Sequence, residues 1–125
     1  MKEVHLFIPG PLPGMNEMIA DAKVRLRKGT LYDKKKKEWT QLIALFAKKL
    51  PKFQRVFIEF EWFEPNRRRD PDNIAAAKKF VLDGLVEAGI IPGDSWRYIA
   101  GWQDKFKVNK QKPGVLITIK ETKNG

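Results

Sequence analysis

Two aspartates one residue apart, Asp70 and Asp72, follow three arginines in the run Arg67-Arg68-Arg69-Asp70-Pro71-Asp72-Asn73. Carboxylates are hard oxygen donors, and a pair beside one groove can bind Mg2+ or Mn2+ while the ion keeps several waters. The neighbouring guanidinium groups of Arg67, Arg68 and Arg69 would hold phosphates next to such an ion. Asp94, in Ile91-Pro92-Gly93-Asp94-Ser95, lies on a turn leading into a strand, so the sheet can return it toward the pair as a third carboxylate. The same residues also have a plainer reading. Pro71 suits a first helical position, which makes Asp70 an N-cap and Asp72 a first-turn acid complementing the helix dipole. Asp94 is equally at home as a turn residue. On the residues alone both readings stand.

Lys78 and Lys79 follow on the same helix, and Lys79, seven residues after Asp72, returns to nearly the same face. There it can stabilise a transition state, or simply pair with Asp83 at i, i+4. The chain has no cysteine and one histidine, His5, which excludes disulfides and zinc sites built on thiolates or clustered imidazoles. Any metal is then expected to be held by oxygen.

A length of 125 residues suits one domain, expected to span 1–125, and 42% hydrophobic residues suffice for a core. Lysine and arginine number 25 against 15 acids, a net charge of +10 that points to a polyanion, nucleic acid being the commonest. Between residues 23 and 37 stand eight cations, Lys23, Arg25, Arg27, Lys28 and Lys34 to Lys37, against Asp33 alone. This run, including Lys34 and Lys35, is the expected DNA contact surface, binding phosphates more weakly as salt rises; a solvated charge run is its bland alternative. No apolar stretch approaches the length of a membrane span and the N-terminus lacks a signal-peptide core, so no membrane partner and a cytoplasmic location are expected.

The elements that must position these residues follow from periodicity. Val4 to Ile8 reads as a strand, ended by Pro9-Gly10-Pro11-Leu12-Pro13-Gly14. Met15 to Tyr32 shows no clean period and is expected to be a mobile basic arm with a small hairpin. Asp33 is the expected N-cap of a helix to Leu50, with Trp39, Leu42, Ile43, Phe46 and Leu50 as its stripe. Arg55 to Phe63 alternates as a strand, Pro71 to Ala88 reads as one helix stopped by Gly89, and Trp96 to Val108 and Val115 to Lys120 complete the strands. The order β, α, β, α, β, β predicts an α+β domain: a mixed four-stranded sheet with two principal helices packed on it.

The arginine triplet with Asp-Pro-Asp-Asn, a helix carrying Lys78-Lys79, and then Gly-Ile-Ile-Pro-Gly-Asp-Ser together resemble the RusA family of Holliday junction resolvases. The opening strand followed by Pro9, Pro11, Pro13 and Asn16 is similar to the family's opening, so the resemblance runs through nearly the whole chain. It implies a homodimeric, Mg2+-dependent endonuclease making paired nicks in four-way DNA junctions, with Asp70, Asp72 and Asp94 as catalytic metal ligands. A family lysine lies one helical turn after the second aspartate, where this chain has Ala76; the role carries over to Lys79, with Lys78 among the DNA contacts. A two-fold dimer would match the symmetry of a junction cut on two strands. The rival readings are a non-catalytic nucleic-acid-binding module and a metal nuclease acting on other branched DNA.

Overall fold

The computed structural model describes residues 2–123 and places eight elements along the chain. They are β1 (Glu3–Pro9), α1 (Met15–Ala22), α2 (Leu31–Ala47), β2 (Val56–Glu64), α3 (Pro71–Ala75), α4 (Lys78–Glu87), β3 (Ile99–Val108) and β4 (Gly114–Glu121). The strands form one mixed sheet in the order β1-β4-β2-β3, antiparallel except for the β2–β3 pair. A parallel pair needs a crossover, and here α3 and α4 supply it. The result is the expected single α+β domain.

Strict alternation in β2 sends Val56, Ile58, Phe60 and Trp62 into the core, while Phe57, Glu59, Glu61 and Phe63 stay half-buried on the opposite face. Ile8, Ile117 and Ile119 complete the buried sheet face, and Phe80, Val81 and Leu85 of α4 cover it with Ile43 and Ala47 of α2. The two helices cross closely at Gly84, where a Cβ would lie 2.5 Å from Ile43 Cγ2.

Five sequence expectations are corrected. Of the basic arm expected over Met15 to Tyr32, the first part is α1, with Met18 and Asp21 buried, and the small hairpin follows as expected with Arg25 bridged to Thr30. The N-cap of α2 is Thr30, not Asp33; Thr30 Oγ1 accepts from the Asp33 N–H and Asp33 Oδ2 accepts from the Thr30 N–H, a reciprocal capping box. The helix ends at Ala47, and its buried line runs through Ile43 and Ala47 with Trp39 beside them, leaving Leu42 and Phe46 exposed. The helix over Pro71 to Ala88 divides at Ala76-Ala77, where the N–H groups of Ala77, Lys79 and Phe80 donate to carbonyls three residues back rather than four. Gly89, at φ 74°, ends α4 as expected. The turn containing Trp96 precedes β3, which starts at Ile99.

Candidate functional site

The head of α3 is braced from two sides. Arg69 donates from Nε and Nη2 to the two carboxylate oxygens of Glu64, at 2.9 and 2.7 Å, and from Nη1 to the Leu12 carbonyl at 2.9 Å. Glu64 occupies the inward parity at the end of β2 and is only 7% exposed, so the bidentate pair holds its charge away from water. One turn onward, Asn73 Oδ1 accepts the backbone N–H of Asn16 at 2.9 Å. Since Gly14 caps α1 without a side chain, Asn73 supplies from α3 an acceptor that the cap itself lacks. The proline-rich opening and the Asp-Pro-Asp-Asn motif, far apart in sequence, are therefore one structural unit.

On this frame Asp70 is the N-cap residue of α3 by backbone conformation, at φ −73° and ψ 154°, but its side chain makes no capping hydrogen bond. Asp72 Oδ1 accepts only from the adjacent Asn73 N–H. Both aspartates are exposed, and among the described residues neither belongs to an ion pair. The plainer reading thus holds for Asp72, a first-turn acid whose carboxylate accepts a helix N–H, and for the backbone of Asp70, but not for the Asp70 carboxylate. Asp70, Arg67 and Glu64 line a cavity of about 330 Å3 whose far wall is Phe106, Lys107 and Val108 of β3. Arg67 and Arg68 are exposed and unpaired among the described residues. The triplet therefore splits: Arg69 is a brace, and Arg67 and Arg68 are free to meet anions.

Asp94 lies elsewhere. It lines a cavity of about 580 Å3 between α2 and α4 with Lys36, Lys37, Asp83 and Glu87. Within that groove Asp83 Oδ2 is buried with no hydrogen-bond partner among the described residues, and the ammonium groups of Lys79 and Lys36 stand 3.7 and 3.9 Å from it. Lys79 thus takes up the i, i+4 pairing with Asp83. Among the described residues no group of three or more histidine, aspartate or glutamate side chains is placed to hold a metal ion. Asp70 and Asp72 share one helix head; Asp94 and Lys79 belong to the groove side of α4.

Lys78 is drawn inward. It donates to Asp104 Oδ2 at 2.6 Å, its side chain is 12% exposed, and its ammonium lies 4.5 Å from the Trp102 ring and 5.2 Å from the Phe60 ring. The other Asp104 oxygen accepts from Trp62 Nε1 at 2.8 Å. Lys35 pairs with Asp21 at 2.8 Å and Glu17 at 3.0 Å, and those two carboxylates raise its pKa above the ordinary 10.5. By contrast Lys23, Arg25, Arg27, Lys28 and Lys34 are exposed and, among the described residues, unpaired. Lys23 is the C-cap of α1, and the hairpin just after it, which carries Arg25, Arg27 and Lys28, is closed by bonds from Leu26 N to Gly29 O and Leu31 N to Val24 O, with Gly29 at φ 73°. It presents the cations on a defined turn.

Sequence reasoning singled out neither Glu64 nor Asp104, nor the tie from Asn73 to Asn16. Glu64 carried a usable signal, a charge on the buried parity of β2 with an arginine five residues on. The Asp104 contact depends on the register that sets Phe60 beside it, which no local pattern encodes.

No family model matches the chain, and no curated protein matches it. Among solved structures it is similar to a chain from the HypE-HypF complex, at 12% identity and a TM-score of 0.39. That match covers 94% of this chain and 30% of the other. Among the described residues no helix is long and apolar enough to cross a membrane.

Proposed function

We propose that this chain is a Mg2+-dependent, structure-selective endodeoxyribonuclease that resolves four-way DNA junctions, the activity implied by its resemblance to the RusA family. The observation that carries the reading is the state of Asp70 and Asp72 at a helix head held by Arg69, Glu64 and Asn73: both are exposed and, among the described residues, outside any ion pair, Asp70 makes no capping bond, and Asp72 is engaged by the Asn73 N–H. Exposed carboxylates outside ion pairs beside unpaired arginines suit a cation with phosphate next to it.

The donor chemistry of Asp70 and Asp72 fits a hard divalent ion, Mg2+ or Mn2+. Such an ion, when bound, would activate a water and neutralise charge on the phosphate. The residues of the chain have separate tasks. Arg67 and Arg68 hold backbone phosphates, and Lys23, Arg25, Arg27, Lys28 and Lys34 extend the electrostatic footprint along the hairpin and the start of α2. Arg69 positions the loop through Glu64. Lys35, paired with Asp21 and Glu17 at the surface, and Lys78, paired with Asp104, belong to the DNA contacts through the same reading, with their charges already partly met by those carboxylates. Asp94, as third carboxylate, and Lys79 belong to the same reading through the resemblance, and a homodimer with one site per subunit would serve the two strands to be cut.

A second reading, a nucleic-acid-binding module without catalysis, is favoured by the placement of Asp70 and Asp94 on different cavities. The two are separated by incubating the protein with a labelled four-way junction and with linear duplex of the same sequence, in Mg2+ and in EDTA. Paired nicks confined to the junction and requiring Mg2+ support the resolvase. Binding without cleavage supports the module, and equal cutting of flaps or other branched DNA widens the substrate class.

A further inference from the structure

We infer that Trp96 is a stacking platform for an unpaired nucleobase, and that it lets this protein discriminate branched or single-stranded DNA from continuous duplex; the inference rests on the nucleic-acid reading above. Trp96 is 94% exposed, whereas Trp62 is 2% exposed. Tryptophan carries the largest apolar surface of any side chain, so leaving nearly all of it in water forgoes a large burial gain. A loose loop would make that exposure trivial, but this turn is held.

The Tyr98 and Ile99 N–H groups both donate to the Ser95 carbonyl at 3.0 Å, and the Tyr98 carbonyl accepts the Val56 N–H at 2.9 Å, tying the turn to β2. Ile90 and Ile91 anchor the other end in the core at 1% exposure each, and a Cβ at Gly93 would lie 3.2 Å from the Tyr98 ring. Trp96 therefore stands at the crest of a fixed turn, two residues from Asp94. Beside it, exposed Arg97 lies with its guanidinium carbon 5.7 Å from the Tyr98 ring centre. The cavity that Asp94 lines mixes Lys36 and Lys37 with Asp33, Asp83 and Glu87, so the cation beside Trp96 is Arg97 itself.

A flat exposed ring next to an arginine, on a chain of net charge +10, suits a ligand that is anionic along its backbone and aromatic at its bases. Continuous duplex offers phosphates and base edges but no base face, because its bases are stacked on one another. A branch point or a single strand offers the face. Stacking of this kind is tolerant of sequence, since every base has one.

The test measures binding in EDTA, where cleavage does not intervene, of the wild-type chain, Trp96→Ala and Trp96→Phe to a four-way junction, a single strand and a linear duplex of one sequence. Sedimentation and thermal melting of each variant accompany it. The expected result is that Trp96→Ala binds the junction and the single strand about tenfold more weakly, binds duplex like wild type, and is largely rescued by Phe. Unchanged binding by Trp96→Ala to all three, or an equal loss on all three, overturns the inference. A fall in oligomeric state in Trp96→Ala also overturns it, by making Trp96 a contact between copies of the chain. Failure of the wild type to bind any DNA would instead remove the nucleic-acid reading on which the inference stands.

Discussion

The side chain of Asn73 accepts a hydrogen bond at 2.9 Å from the backbone N–H of Asn16, joining the start of α1 to the start of α3 across 57 residues. Gly14 makes this approach possible: a Cβ there would stand 2.6 Å from Asn73 Oδ1 and 2.9 Å from Arg69 Nη1. Gly14→Ala is therefore expected to push both side chains away and destabilise the fold by about 1 to 3 kcal/mol, the range for an overpacked site. Urea denaturation measures it, and a loss below the error of the method would mean that the contact is not tight.

Thr30 and Asp70 make opposite predictions although both are N-cap residues. Thr30 Oγ1 accepts from the Asp33 N–H, so Thr30→Ala should cost about 1 kcal/mol. Asp70 makes no capping bond, so Asp70→Ala should change stability by less than about 0.5 kcal/mol. Paired melting curves decide it. A loss at Asp70 as large as at Thr30 would restore capping as the job of that carboxylate.

Within the arginine triplet the effects should divide between stability and binding. Arg69→Ala leaves Glu64 buried without its partner, and the expected loss is about 2 kcal/mol, below that of a fully buried pair because Arg69 is a quarter exposed. Arg67→Ala should leave stability within about 0.5 kcal/mol of wild type while lowering DNA affinity and reducing the salt slope by about 1. Affinity titrations across a salt series, together with denaturation, check both.

The Lys35 ammonium, bonded to Asp21 and Glu17, links α1 to α2. Its folded-state pKa lies above the ordinary 10.5, so the stabilisation it gives is fully present below that pH and is lost as pH rises through the folded-state value. Neutral to mildly alkaline pH should leave this contribution intact. Comparing thermal melting of wild type and Lys35→Met should show a gap that is constant from pH 7 to about pH 9 and shrinks only above about 10.5. A gap that closes near neutrality would contradict the assignment.

Much of the sheet was legible because its signals are local. The alternation in β2 needs only β2 itself, and Gly89 stops α4 for a reason contained in its own backbone, a positive φ. The stripe expected for α2 holds for Trp39, Ile43 and Leu50 and fails for Leu42 and Phe46, which look as apolar as Ile43 and Ala47 until the close crossing at Gly84 sets the buried line. At the site, Asp70 and Asp72 share the helix head that their spacing suggested. The division of labour among Arg67, Arg68 and Arg69 was hidden, because it depends on Glu64 and the Leu12 carbonyl. Lys78 likewise reads as a surface cation until parallel pairing of β2 with β3 brings Asp104 beneath it.

The catalytic role of Asp72 is measured by comparing wild type with Asp72→Asn on a labelled four-way junction, with binding followed in EDTA and cleavage in Mg2+. Equal or slightly tighter binding by the variant is expected, since one negative charge is lost near the phosphates, together with loss of the paired nicks that wild type makes. Cleavage by Asp72→Asn at the wild-type rate, or junction binding by wild type with no cleavage in Mg2+, would contradict it.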